Sequence, residues 1–138
     1  MTAEQTREDL DRRIDSIEAA YEYFLAYAAQ GRTTDRAQGG ASSEVRKQLE
    51  SMQKALAGLA DVARKCAAER DPGLVESSDA FFEAVGSDAD VARAAVSLVL
   101  ARADISSQLI DNLNASIHVR ALLTDLFIID EALKNRAV

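Results

Sequence analysis

The single histidine of the chain, His118, stands in a regular series of acidic residues. Asp104, Asp111, His118 and Asp125 follow one another at intervals of seven residues. Seven residues are close to two helical turns, so in a continuous helix these side chains would share one polar face. A histidine that meets a carboxylate of another helix can respond to pH near neutrality. The series marks Asp111 and His118 as candidate binding residues, and the simpler interpretation is a solvated helix face.

Residue counts and missing motifs argue against most catalytic and metal chemistry. One cysteine and one histidine are too few for a cysteine-based zinc site or for the paired Glu-x-x-His motifs of a di-iron bundle. The sequence contains neither a phosphate-binding loop nor a Cys-x-x-Cys-His haem attachment. We therefore expect no catalytic residue, no metal and no cofactor, and no motif of a known family is present.

All three tyrosines of the chain, Tyr21, Tyr23 and Tyr27, lie in one short segment. Tyr21 falls on an apolar helical stripe, whereas Tyr23 and Tyr27 lie one turn apart on another face. Tyrosine combines an apolar ring with a polar hydroxyl and is enriched in binding surfaces. Arg32 and Arg36 follow in the adjoining loop. We predict that these five residues form a partner-binding or ligand-binding surface; the alternative is packing in and beside the core.

Helical periodicity runs through the two segments that precede residue 71. In the first, from about residue 3 to 30, apolar residues recur at steps of three and four, at Leu10, Ile14, Ile17, Tyr21, Phe24 and Ala28. Thr2 and Gln5 form a capping-box pattern before it. In the second, from about residue 44 to 70, a heptad pattern runs through Val45, Leu49, Met52, Leu56, Leu59, Ala63 and Cys66. The segment between them, Gly31–Ser43, is interpreted as a connector.

The segment that follows Asp71-Pro72 predicts a third helix, which Gly86-Ser87 would interrupt. From residue 87 to 138 there is neither glycine nor proline, and two interpretations remain open. A turn within residues 103–107 or 111–116 would produce an antiparallel four-helix bundle. Without a turn, one helix from about Asp88 to Lys134 would be about 70 Å long and would need a second copy of the chain beside it.

The last predicted helix is apolar around most of its circumference. Such a helix is buried on more than one side, which a peripheral helix of a four-helix bundle is not. We therefore predict a homodimer whose interface contains four of these apolar residues, Leu122, Leu126, Phe127 and Ile129.

Composition sets the broad class of protein. The chain has 138 residues, 48% of them hydrophobic, with one proline and six glycines. This length suits a single domain spanning residues 1–138, and so few turn-forming residues favour an all-α fold. The net charge of −7 opposes binding to nucleic acid or to an anionic membrane. The absence of a basic and apolar leader predicts a cytoplasmic protein.

The resulting hypothesis is a non-enzymatic helical adaptor or regulator that acts through self-association and binding to a protein partner. The alternative is a small-molecule or cofactor binder with a pocket between core helices, near His118, Asp111 or Tyr21. A weaker third hypothesis is a signalling bundle that uses His118, although the Lys-Gly that follows a phosphotransfer histidine is missing here.

Overall fold

The computed structural model describes residues 2–36 and 43–134, except for the side chains of residues 117, 118 and 134. The fold of these residues is all-α, without a β-strand. The helices are α1 (Ala3–Ala29), α2 (Glu44–Leu56), α3 (Leu59–Arg70), α4 (Pro72–Ser77), α5 (Asp79–Leu100), α6 (Ser107–Ala115) and α7 (Ile117–Lys134). The side chain of His118 lies outside the described residues, as do residues 37–42 of the connector.

Two long helices, α1 and α5, organise the packing. α1 contacts α2, α3, α6 and α7, whereas α5 contacts α2, α3, α4, α6 and α7. Buried apolar side chains from every helix except α4 join into one hydrophobic cluster. No helix of the described residues combines the length and apolar character needed to cross a membrane.

The capping box predicted at the start of α1 is confirmed. The Thr2 hydroxyl accepts a hydrogen bond from the Gln5 backbone N–H at 3.1 Å, and the Gln5 side chain accepts one from the Thr2 N–H at 2.8 Å. Beyond the other end of the helix, Gly31 has a φ of 65°. This left-handed conformation suits glycine and ends the helix near the predicted residue.

The second apolar repeat is buried as predicted, but it does not lie on one helix. All seven of its residues are core residues, while the chain breaks between α2 and α3 at Gly58, whose φ is 71°. Arg13 of α1 stabilises the break, because its Nη1 donates hydrogen bonds to the carbonyl of Ala55, at 3.1 Å, and to that of Ala57. These bonds satisfy carbonyl groups that the end of α2 leaves without a helical partner.

The interruption predicted at Gly86-Ser87 is wrong, because α5 runs through both residues. No close helix contact occurs at Gly58, because a Cβ on this residue would meet nothing within 4 Å. Gly86 is the glycine at a helix contact, since its Cβ would lie 3.4 Å from the Cβ of Ala60 in α3. Gly86 therefore lies at a helix contact inside α5 and not in a turn.

Alanine is expected to have opposite effects at these two glycines. Gly58→Ala places a Cβ on a left-handed residue and should lower the free energy of unfolding by about 1 kcal/mol. Gly86→Ala improves helix propensity and meets Ala60 at about van der Waals distance, so it should raise the free energy of unfolding by up to about 1 kcal/mol. Urea denaturation of both variants checks the prediction, which changes of the same sign would contradict.

The single helix considered for residues 88–134 is wrong. α5 ends at Leu100, a loop spans residues 101–106, and the α6–α7 junction at Ser116 breaks the chain again. The Ser106 hydroxyl caps α6 by accepting a hydrogen bond from the Leu109 N–H at 3.1 Å. Breaks thus occur in or beside both regions whose capping residues suggested a turn.

Candidate functional site

The predicted tyrosine–arginine surface lies where the end of α1 meets the loop of residues 101–106. Tyr27 is fully buried there, and its hydroxyl donates a 2.6 Å hydrogen bond to the Ile105 carbonyl. The Tyr23 ring stacks on the Tyr27 ring with centroids 6.1 Å apart, and the Arg32 guanidinium lies 5.4 Å from the centre of the Tyr27 ring. Tyr27 therefore joins α1 to the loop and does not face solvent.

Ser107 extends this junction. Its buried hydroxyl donates a hydrogen bond to the Tyr27 carbonyl at 2.7 Å and accepts one from the Arg32 N–H at 2.8 Å. The Ser107 N–H in turn donates to the Arg32 carbonyl at 2.9 Å. We call the two segments joined here, residues 32–36 and 104–107, the loop clasp.

Asp104 binds the rest of the loop clasp. Its carboxylate accepts hydrogen bonds from the Asp35 N–H at 2.6 Å, the Thr34 hydroxyl at 2.9 Å and the Arg36 Nε at 3.3 Å. The Asp35 N–H is the largest cause that lowers the pKa of Asp104 below its ordinary value of 3.8, followed by the Thr34 hydroxyl. Donors to the charged form stabilise that form, so Asp104 holds the clasp as a carboxylate.

The loop clasp is expected to weaken in acid. Because folding lowers the pKa of Asp104, its stabilisation is complete above pH 3.8 and is lost as the pH falls through the lower folded pKa. Asp104→Asn should therefore lower the urea midpoint at neutral pH, and its difference from the wild type should shrink below pH 3.8. Asp111→Asn is the matched control, since Asp111 is exposed on α6. A difference that stays constant with pH would contradict the role of the carboxylate.

A buried arginine adjoins the same loop. Arg46 of α2 donates hydrogen bonds to the carbonyls of Leu100, at 3.4 Å, and Arg102, at 2.6 Å. A cation at the carbonyl end of a helix is favourable for both hydrogen bonding and the helix dipole. The sequence does not predict the burial of Arg46, because this residue follows Val45 at the start of a helix and resembles an ordinary surface arginine.

The five residues of the predicted tyrosine–arginine surface lie in different environments. Tyr27 is buried, Tyr21 and Tyr23 are half-buried against the core, and Arg32 and Arg36 are exposed. Burial, and then the charge of Glu44, raise the pKa of Tyr23 above 10.0. The two arginines are engaged in ion pairs, Arg32 with Asp35 and Arg36 with Asp104. These contacts mainly hold loops together.

The polar face predicted from Asp104 to Asp125 does not exist as one stripe. Asp104 lies in a loop, Asp111 on α6 and Asp125 on α7. Asp111 is brought near one other candidate, because it lines a groove with Arg32 and Ser107. Asp125 instead meets Asp88 of α5, and its pKa is raised first by burial and then by the Asp88 carboxylate.

Most of the predicted dimer-interface residues are buried within the single chain. Leu122, Leu126 and Ile129 belong to the hydrophobic core, and only Phe127, 50% exposed, reaches solvent. The physical reason is that α7 packs against α1, α3 and α5. Three neighbours within the chain therefore cover the side of α7 that carries Leu122, Leu126 and Ile129.

A different apolar face is open to solvent along α5 and the residue that caps its end, Ala101. Its members are uncharged, recur at alternating steps of three and four, and are all exposed: Ala84, Ser87, Val91, Ala94, Leu98 and Ala101. We call this set the outer seam. Val91 is 42% and Leu98 68% exposed. Alternating steps of three and four place all six side chains along one side of the helix.

An apolar cleft of about 180 Å³ opens between α1, α3 and α7. Leu10, Ile14 and Leu133 are among its apolar walls, and Cys66 of α3 also lines it. Arg7 and Arg70 border this cleft and also a second groove that Cys66 lines. Among the described residues, neither Asp111 nor Tyr21 lines this cleft, although both were predicted to lie near a pocket; the side chain of His118 lies outside the described residues.

No family model matches the chain, and no curated protein sequence and no solved structure is significantly similar to it. Within residues 2–36 and 43–134, leaving out the side chains of residues 117, 118 and 134, no three or more His, Cys, Asp or Glu side chains are grouped so that they could hold a metal ion. Among the described residues, the outer seam and the apolar cleft present apolar surface of the kind that suits recognition.

Proposed function

We propose that the protein is a non-enzymatic helical interaction protein that associates with a second copy of itself through the outer seam of α5. The observation that carries this proposal is the exposure of Val91 and Leu98 within an uncharged strip. Large apolar side chains that recur on one exposed face mark interaction surfaces more often than scattered ones do. The inner face of α5 already packs in the core, so the seam is a second apolar face on the same helix.

The order of large and small residues along the outer seam favours a second copy of this chain as the molecule that binds there. A two-fold axis between Val91 and Ala94 would set two α5 helices antiparallel. Val91 would then oppose Ala94, Leu98 would oppose Ser87, and Ala84 would oppose Ala101. Each large side chain thus meets a small one, and no like charges meet along the line of contact. Such self-complementarity is what an isologous interface requires.

The proposed dimer is built from protomers that we infer to be antiparallel four-helix bundles. Each of the four positions in the bundle is a column of one or two helices. The first column is α1, the second is α2 followed by α3, the third is α5, and the fourth is α6 followed by α7. The observed contacts support this order. α1 packs beside α2 and α3, which pack beside α5, and α5 packs beside α7, which returns to α1. The outer seam then lies on the outside of one column, where a second bundle can reach it.

Sedimentation equilibrium over a concentration series tests the proposal. The wild type should reach twice the protomer mass of 14.9 kDa. Leu98→Glu should weaken the dimer by at least about 100-fold, because each copy would bury an unpaired carboxylate. The matched control is Leu25→Glu, since Leu25 is 49% exposed but lies on α1.

Two results would overturn the dimer. The first is a wild type that stays monomeric at the highest concentration. The second is an average molar mass that falls below the wild-type value equally in Leu98→Glu and Leu25→Glu. A complex in which Leu98 contacts a different protein, with the wild type monomeric when pure, would replace the second copy by a partner chain. Capture of an unidentified protein from a lysate would not support the dimer.

A further inference from the structure

The cleft between α1, α3 and α7 combines an apolar interior with a cation at its mouth. Leu10 and Ile14 of α1 face Ile129 and Leu133 of α7 across it, and Phe127 stands half exposed at its edge. A dry cavity of about 150 Å³ with such a lining is large enough for benzene. The 180 Å³ of this cleft therefore suits an alkyl chain or a single ring.

Arg7 is the charged residue that sets the polarity of the cleft. It is exposed on α1 and makes neither a hydrogen bond nor an ion pair within the described part of the chain. The charge of Arg7 acts on Cys66 in the wall of the cleft. Burial is the largest influence on the pKa of the Cys66 thiol and raises it, whereas Arg7 is the largest of the influences that lower it. The rim of the cleft carries two carboxylates, of Asp11 and Asp130, and two guanidinium groups, of Arg7 and Arg70. An available cation beside an apolar cavity is the arrangement that a small amphipathic anion requires.

We propose that this cleft binds a small monocarboxylate, with its alkyl or aryl part among Leu10, Ile14 and the α7 side chains and its carboxylate on Arg7. The chemistry is apolar burial at one end and a charge-assisted hydrogen bond at the other. The cleft does not include α5, so this site is independent of the proposed dimer. Loss of one would leave the other unchanged.

Cys66 supplies a direct probe, because it is the only cysteine of the chain and lines the cleft. The experiment measures the rate at which N-ethylmaleimide alkylates the full-length protein as octanoate is added. Octanoate should slow alkylation in a saturable manner, because its chain would cover the thiol. Octanol and octylamine carry the same chain with a neutral and a cationic head, and each should protect Cys66 less well than octanoate does.

Arg7→Gln tests the head group. This variant should need about fivefold more octanoate for half protection, as expected for loss of one exposed charge pair, while its protection by octanol should not change. The matched control is Arg12→Gln, since Arg12 is exposed on the same helix outside the cleft. In Arg12→Gln, half protection of Cys66 should need the same octanoate concentration as in the wild type.

Three outcomes would overturn the carboxylate site. Octanoate that leaves the alkylation rate unchanged would show that nothing of this chemistry occupies the cleft. Equal protection by octanoate and octylamine would show an apolar cavity without preference for an anion. Equal weakening in Arg7→Gln and Arg12→Gln would show a general effect of net charge and not a contact with Arg7.

Discussion

Tyr27→Ala is expected to lower the free energy of unfolding by about 3–5 kcal/mol, which is typical for the removal of a fully buried aromatic side chain. The ring is 0% exposed, packs on Tyr23 and lies beneath the Arg32 guanidinium. Its removal would leave a cavity at the junction of α1 with the loop clasp and would also leave the Ile105 carbonyl without its hydroxyl donor. Urea denaturation followed by circular dichroism measures the loss.

Tyr27→Phe separates the hydroxyl from the ring. It keeps the packing but leaves a buried carbonyl without its donor, so it should cost about 1–2 kcal/mol. Burial also raises the pKa of Tyr27 above 10.0, so folding favours the protonated phenol. The stability that this provides is present below pH 10.0 and declines as the pH rises through the folded pKa. Tyr27→Phe should therefore show a weaker alkaline decline than the wild type.

Tyr23→Ala is the control for both variants, because Tyr23 lies one turn away and is only half-buried. It should cost clearly less than Tyr27→Ala. If Tyr27 were an exposed recognition residue, as its position in the sequence suggested, the two alanine variants would be similarly mild. Equal and small losses would thus contradict the buried role of Tyr27 and restore the surface interpretation.

The difference between the two tyrosines shows what periodicity alone cannot supply. Tyr23 and Tyr27 lie four residues apart and look alike in the sequence, since both fall beside the apolar stripe of α1. Their burial differs because Ile105 reaches Tyr27 from a loop 78 residues away. Local patterns predicted α1, its capping box and the buried faces of α2 and α3 well, because those features depend on neighbouring residues.

Helix breaks were predicted less well, because distant side chains stabilise them. Gly58 looks like a tolerated glycine in a long helix until Arg13 of α1 is seen to bind the carbonyls beside it. The end of α5 likewise depends on Arg46 of α2. Gly86 was expected to break a helix, but it allows contact with Ala60. Sequence spacing carries no information about these partners.

The two candidate binding features differ in how far the sequence could reveal them. In the sequence, the outer seam forms a pattern of alternating steps of three and four from Ala84 to Ala101. This pattern was not recognised as one helix face, because the break predicted at Gly86 divided the helix. The apolar cleft has no such local pattern. It arises because Arg7, Cys66 and Leu133 meet only when three separate helices pack together.

Leu122→Ala is expected to lower the free energy of unfolding by about 2–5 kcal/mol, with no dependence on protein concentration. Leu122 is 0% exposed within one chain, so the cavity would form inside the protomer. A residue at a dimer interface behaves differently, because association stabilises the folded chain by mass action, so removal of its contact would cost more stability at high protein concentration than at low. Urea midpoints measured for the wild type and the variant across a concentration series separate the two cases.

Phe127→Ala is the comparison on the same helix, because Phe127 is 50% exposed and should cost much less than Leu122→Ala. The contrast follows from the position of α7, which α1, α3 and α5 enclose. A helix with three neighbours needs apolar residues around most of its circumference, so its composition does not by itself require a second copy. A concentration-dependent loss in Leu122→Ala would place the dimer contact on α7, whereas a constant loss is what the proposed contact through the outer seam of α5 requires.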